Sequence, residues 1–311
     1  MKVLLVSPRG FCAGVNMAID ALDRAIALFG TPLYVFHEIV HNRHVVQRFE
    51  DKGVVFVDRV EQVPRGSHLM YSAHGVSPAV RQQALQRDLQ VVDATCPLVR
   101  KVHLEAVRFA QLGYTIVLIG HRDHDEVVGT LGEAPAQMIL VESVADVDRL
   151  HVVDPNKVAY LTQTTLSVDD AEVIIRRLRE RFPDCVGSSK EDICYATQNR
   201  QEALKAGVQQ ADMVLVFGSK NSSNSIRLTE VAAEFGRPTY LVDSVAELQT
   251  EWFRGDETVL ITAGASAPED LVEACVAHLQ REYQATVEVL EIRQENVEFP
   301  LPYEIRPLPA R

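Results

Sequence analysis

Three cysteines of this 311-residue chain occupy matched places. Cys12, Cys96 and Cys194 each stand just before a stretch with helical spacing of apolar residues, and each is followed by a polar loop carrying a donor. His41 comes 29 residues after Cys12, His124 comes 28 after Cys96, and Asn224 comes 30 after Cys194. A third position also recurs: His74, Thr164 and Ser266 lie 62, 68 and 72 residues after the respective cysteines, each in a polar turn behind a strand-like run. A thiol at the start of a helix feels the helix dipole, which lowers its pKa and favours a thiolate ligand. Pro97, directly after Cys96, suits the first helical position. Three thiolates on one face suit zinc or an iron–sulfur cluster. Neither the close Cys-x-x-Cys pairs of zinc ribbons nor ferredoxin spacing is present, so spacing leaves both open. Either way a three-thiolate site keeps one coordination position for a ligand.

The groups on the recurring loops are donors to anions. Imidazoles at His41, His74 and His124 can donate to phosphate oxygens, and Ser222, Ser223 and Asn224 add hydroxyls and an amide. Ser266 opens a capping-box pattern ending at Glu269, as Ser167 does with Asp170; a capping serine at an anion-binding helix start can serve both ends. Glu126 lies two residues after His124, and the equivalent places after His41 and Asn224 hold Arg43 and Ile226. Facing outward, Glu126 is an ordinary solvated carboxylate; facing inward, it breaks the threefold pattern, as a proton donor in a one-directional reaction should. Thr164 at the same mouth suits a proton relay or a substrate hydroxyl. Cys185 and Cys275 have no counterparts in the pattern and read as small buried residues.

The elements that must position these groups alternate. Strand-like runs at 3–6, 54–57, 115–119, 158–161, 213–217 and 259–261 interleave with helical patterns at 15–29, 99–112 and 200–210, which argues for α/β layering. Intervals of 84 and 98 residues between the three cysteines give three pseudo-symmetric α/β units, each with a small, mostly parallel sheet; if they face one another, the three thiols and the polar turns converge. The expected boundaries are 1–95 (its first strand free to pair elsewhere), 96–193 and 194–290, with 291–311 as an extended, proline-rich strap. Ligands of parallel sheets bind beyond the carboxyl ends of strands, where these turns lie.

A net charge of −12 argues against nucleic acid as a partner, since its binding rests on basic surface. The longest apolar runs are too short to cross a membrane. No signal-peptide core follows the N-terminus, so the expectation is a cytoplasmic protein, and five cysteines make an odd count for a disulfide framework. A monomer is expected, because three units around one centre already enclose a site.

The stretches Pro8-Arg9-Gly10-Phe11-Cys12-Ala13-Gly14-Val15, His41-Asn42, Ser72-Ala73-His74-Gly75-Val76, Asp93-Ala94-Thr95-Cys96-Pro97, Thr162-Gln163-Thr164-Thr165, Gly218-Ser219-Lys220-Asn221-Ser222-Ser223-Asn224-Ser225 and Thr262-Ala263-Gly264-Ala265-Ser266-Ala267-Pro268 resemble the 4-hydroxy-3-methylbut-2-enyl diphosphate reductase family over nearly the whole chain. The resemblance implies a 4Fe-4S cluster on Cys12, Cys96 and Cys194, with one iron open to the substrate oxygen, and the three units packed around that central cluster and a substrate cavity. It implies diphosphate contacts from His41, His74, His124, Ser222, Asn224 and Ser266, with Ser223 in the same loop. Thr164 would meet the reacting end, and His124 and Glu126 would serve catalysis, Glu126 as proton source. The family commonly has His-Pro-Glu where this chain has His124-Asp125-Glu126. The implied reaction is a two-electron reductive dehydroxylation yielding isopentenyl and dimethylallyl diphosphates. No Gly-x-Gly-x-x-Gly fingerprint is present, so electrons are expected from an external carrier such as ferredoxin or flavodoxin. Two other readings remain at this point: a non-catalytic iron–sulfur sensor of a diphosphate, and a zinc hydrolase.

Overall fold

In the computed structural model of the chain, residues 1–306 are described. The elements run β1 (Lys2–Ser7), α1 (Ala13–Phe29), β2 (Leu33–Phe36), α2 (Arg43–Glu50), β3 (Val54–Val57), β4 (His68–Tyr71), α3 (Pro78–Gln86), β5 (Gln90–Asp93), α4 (Pro97–Gln111), β6 (Thr115–Ile119), α5 (Asp125–Leu131) and β7 (Met138–Val141). They continue with α6 (Val144–Arg149), β8 (Val158–Thr162), α7 (Val168–Arg181), α8 (Tyr195–Val208), β9 (Met213–Phe217), α9 (Ser223–Glu234), β10 (Thr239–Val242), β11 (Thr258–Ala263), α10 (Glu269–Tyr283) and β12 (Thr286–Glu291). The fold is α/β with three small sheets, of five, four and three strands, and every strand pair is parallel.

The chain divides into two compact units. Unit one comprises Met1–Ala13, His41–Val45 and Tyr195–Val297. Its sheet has the order β10-β9-β11-β1-β12, so the N-terminal strand pairs with β11 and β12, far from it in sequence. Successive side chains of a strand point to opposite faces. Accordingly Val3 and Leu5 join one apolar cluster with Leu215 and Ile261, while Leu4 and Val6 join another with Val214 and Leu260. A parallel sheet covered on both faces reads as a continuous apolar run, as Met213–Phe217 does.

Unit two comprises Gly14–Val40, Val46–Cys194 and 298–306. It holds two sheets, β3-β2-β4-β5 and β7-β6-β8. The three-stranded sheet is also covered on both faces: Val117 and Ile119 pack with Ile174 and Leu178 of α7, Ile116 and Leu118 with Val102 and Phe109 of α4.

One sheet therefore falls within each of the spans 33–93 and 115–162, and the third gathers β1 with strands from 213 onward. The expected helix at 200–210 starts five residues earlier, at Tyr195, immediately after Cys194. Of the expected strap, 292–302 is irregular and Tyr303–Ile305 forms a short 3-10 turn. Pro307, Pro309 and the rest of 307–311 lie outside the described residues. No helix among the described residues is long and apolar enough to cross a membrane.

Candidate active site

Each of the three matched cysteines meets a helix start. Cys12 directly precedes α1, Cys96 is the N-cap of α4 with Pro97 behind it, and Cys194 directly precedes α8. Their backbone N–H groups are held alike. Cys96 donates to the Ala73 carbonyl at 2.9 Å, Cys194 to that of Thr164 at 3.0 Å, and Cys12 to that of Ala265 at 3.2 Å. Those acceptors lie in the three polar turns marked by the sequence, so each turn is stitched by a main-chain bond to a cysteine. All three cysteines are half-buried, and none of the five is in a disulfide. The other two stand at no matched helix start. Cys275 is buried in the apolar cluster of unit one, which pushes its thiol up to about 12. Cys185, expected to be buried, is partly exposed, and desolvation raises its pKa as well.

In unit two, Glu126 lies in the first turn of α5 and is only 2% exposed, so it is not a solvated surface group. The Thr164 N–H donates to its Oε1 at 2.7 Å, and the Thr164 hydroxyl donates to its Oε2 at 2.8 Å. His124 is the N-cap of α5, and its Nδ1 accepts the Glu126 N–H at 3.2 Å. The His74 ring meets the His124 ring edge-on, with centroids 5.7 Å apart. Glu126, Thr164, His124 and His74 thus form one cluster on two strand ends and a helix start.

In unit one, Ser222 caps α9, accepting the Ser225 N–H. Its hydroxyl also lies 3.1 Å from those of Ser225 and Ser266. Ser266 donates to the His41 carbonyl at 3.0 Å. Asn224 accepts the Ala265 N–H at 2.8 Å through Oδ1 and reaches Thr197 through Nδ2. Ser222, Ser223, Asn224 and Ser266 are all buried. The expected capping role of Ser266 does not hold: α10 starts at Glu269 with Pro268 at its N-cap, which leaves the serine outside the helix and free to bridge to Ser222 and His41. Ser167, by contrast, does cap α7.

Several positioning residues have no role that the sequence assigns. Ser225, fully buried, sits between two strand ends: a Cβ at Gly218 or Gly264 would come within 2.0 or 2.1 Å of its hydroxyl. Only glycine fits at either place. Asp243 accepts from the Ser219 hydroxyl at 2.9 Å and pairs with Arg43. Ser219 in turn accepts the Arg43 N–H, tying the segment after His41 to unit one. Arg200, fully buried, donates to the Gly10 carbonyl at 2.7 Å and pairs with Glu295 at 3.1 Å, clamping the chain just before Cys12. The glycine-rich turns were visible as turns, but these long-range partners had no local pattern to find them by.

Fold and turns define a parallel α/β enzyme whose strand-to-helix turns carry thiols, imidazoles, hydroxyls and the buried Glu126 carboxylate. A family model described as LytB protein matches residues 3–280. The chain belongs to this family, the 4-hydroxy-3-methylbut-2-enyl diphosphate reductases. It is 57% identical to the enzyme of that name from Rhodopirellula baltica, over all of this chain and 97% of that one. It is 53% identical to the one from Azoarcus sp., over 98% of each chain. The solved E-1-hydroxy-2-methyl-but-2-enyl-4-diphosphate reductase from Plasmodium falciparum superposes with a TM-score of 0.95 at 38% identity, covering 98% of this chain and 96% of that one.

Proposed function

We propose that this chain reduces 4-hydroxy-3-methylbut-2-enyl diphosphate to isopentenyl and dimethylallyl diphosphates and water. The observation that carries the reading is the buried Glu126, bonded through both carboxylate oxygens to Thr164. Burying a carboxylate is costly unless it is well paired, and a sensor that only bound the diphosphate would have no use for one.

The donor set fits a 4Fe-4S cluster. Cys12, Cys96 and Cys194 are partly exposed thiols at three matched helix starts and in no disulfide, and they would hold it. When bound, the cluster supplies two electrons, one at a time, and Lewis acidity toward the allylic oxygen. An external carrier such as ferredoxin or flavodoxin would deliver the electrons. His41, Ser222, Ser223, Asn224 and Ser266 of unit one, with His74 and His124 of unit two, hold the diphosphate by hydrogen bonds. With Nδ1 occupied by the Glu126 N–H, His124 presents Nε2–H to an oxygen even when neutral. The balance needs two electrons and two protons: the allylic C–O bond breaks, one proton makes water of the leaving hydroxyl, and the other ends on an allylic carbon. Glu126 delivers protons, and the Thr164 hydroxyl hands them to the reacting end. The 96–193 segment supplies this proton machinery, and the 1–95 and 194–290 segments supply the remaining donors.

Iron and sulfide analysis of anaerobically purified protein tests the cofactor. About four irons and four sulfides per chain are expected. A colourless zinc protein with full activity would refute the reading.

A further inference from the structure

The carboxylate of Asp125, first residue of α5, has no part in the chemistry above, yet it lies between two imidazoles. Its Oδ1 is 2.6 Å from His37 Nδ1. Its Oδ2 is 3.9 Å from His74 Nδ1, whose neighbour on that side is the Ser72 hydroxyl at 3.4 Å. His37 is itself held in place. It follows β2 in the left-handed region, at φ 58°, which is unfavourable for a non-glycine residue, and its ring stacks on Phe36 with centroids 4.2 Å apart. The hydrogen bond to Asp125 raises the His37 pKa against the opposing effect of burial, with Asp58 adding to the rise. The carboxylate is therefore anchored on its outer side by an imidazole inclined to be cationic.

His74 and His124 differ in what their Nδ1 atoms face. That of His124 accepts an N–H, so its ring donates through Nε2 in the neutral state. That of His74 faces a carboxylate and a hydroxyl oxygen. With its Nδ1 proton directed there, the Nε2 of a neutral ring is an acceptor, and it can donate to a phosphate oxygen only when the ring carries a second proton. We propose that Asp125, anchored by His37, is a positioning residue that keeps His74 doubly protonated and oriented for an anionic oxygen of the ligand. This rests on the proposed function for the identity of that ligand. Within unit two the other titratable groups around the trio are Asp58 and Glu38 on the His37 side, and His124 and Glu126 on α5. Beyond Gly75 stands His103, which is paired with Glu133 at 2.8 Å. A carboxylate stabilises the His74 cation, so its binding contribution is full at low pH and fades as pH rises. Without Asp125 the fading comes at lower pH.

The test uses cluster-loaded protein under anaerobic conditions, with Asp125→Asn, Asp125→Pro and Asp125→Glu. Histidine-labelled NMR, assigned with His74→Gln, follows the His74 titration, and calorimetry follows affinity for inorganic pyrophosphate between pH 6 and 9. The Asn and Pro variants are expected to lower the His74 midpoint by about one pH unit, the lower end for a charge partner. They should weaken pyrophosphate binding about 5- to 10-fold at pH 8, a unit of pKa being tenfold, and less at pH 6. The Glu variant should recover part of both effects, and in turnover the change should fall on KM more than on kcat. Were Asp125 needed only to start α5, proline would restore wild-type behaviour, since it suits the first helical position. That result, or an unmoved His74 titration, would overturn the proposal. Wild-type protein that shows the expected titration and pyrophosphate binding, yet reduces no allylic diphosphate, would overturn the proposed function and leave the role of Asp125 supported.

Discussion

The polar turns of the two units present donors by different means. In unit two the groups are titratable, and each is held by a neighbour: Glu126 by Thr164, His124 by the Glu126 N–H, His37 by Asp125. In unit one they are mostly neutral hydroxyls and an amide, and packing fixes their directions: Ser222, Ser225 and Ser266 share hydrogen bonds in a space that two glycines leave open. Turns in an acidic protein can thus offer donors to an anion without a basic surface. The unit-one donors are preoriented and neutral and should be indifferent to pH, whereas the titratable unit-two donors should be sensitive to it.

The comparison breaks most visibly at Glu126. Glu126→Gln should lower kcat about 10²- to 10⁴-fold, the usual worth of a positioned acid, while iron and sulfide content stays at the wild-type level; normal turnover would remove it from the chemistry. On the unit-one side, Gly264→Ala pushes a methyl into the Ser225 hydroxyl and should cost about 1–3 kcal/mol by overpacking, read from the urea midpoint, with Ser225→Ala in the same chain recovering part. Ser222→Ala removes a cap and a shared hydroxyl. It should raise KM for the diphosphate roughly fivefold, about 1 kcal/mol, and by the same factor from pH 6 to 9; a slope with pH would contradict the neutral-donor account. The smallest effect is expected at His37. Its folded pKa is raised, so pairing with Asp125 adds stability that is fully present below about pH 6.5 and is lost as pH climbs through the raised value. His37→Gln should destabilise by under about 1 kcal/mol, more at pH 6 than at pH 9, in denaturant midpoints taken at both.

Legibility followed the range of the interactions. Strands 115–119 and 213–217 were readable to the residue because each is a short apolar run, buried from Ile116 onward in the first and throughout in the second. The cysteines were readable because a helix start has a local pattern. The pairing of β1 with β11 and β12 is not written in either strand alone, though the first strand could be expected to pair elsewhere. Ser266 illustrates the converse: its capping-box spacing was a real local signal, but Pro268 took the cap, and the serine's contacts lie across the fold with Ser222 and His41. Asp125 stood out in sequence as a departure from the family pattern, and only the structure shows it facing His37 and His74 rather than solvent. Arg200 and Glu295, 95 residues apart, had no signal at all. Removing Glu295 takes the acidic partner from a fully buried guanidinium, which is costly, so the pair matters to the Cys12 loop although no motif named it.

The proposed reductive dehydroxylation is put to the test by an anaerobic assay of the reconstituted protein with a dithionite-reduced dye as electron donor and 4-hydroxy-3-methylbut-2-enyl diphosphate as substrate. Two dye electrons should be consumed per substrate, with isopentenyl and dimethylallyl diphosphates both formed. A fully loaded, substrate-binding protein that leaves the allylic hydroxyl intact would contradict it.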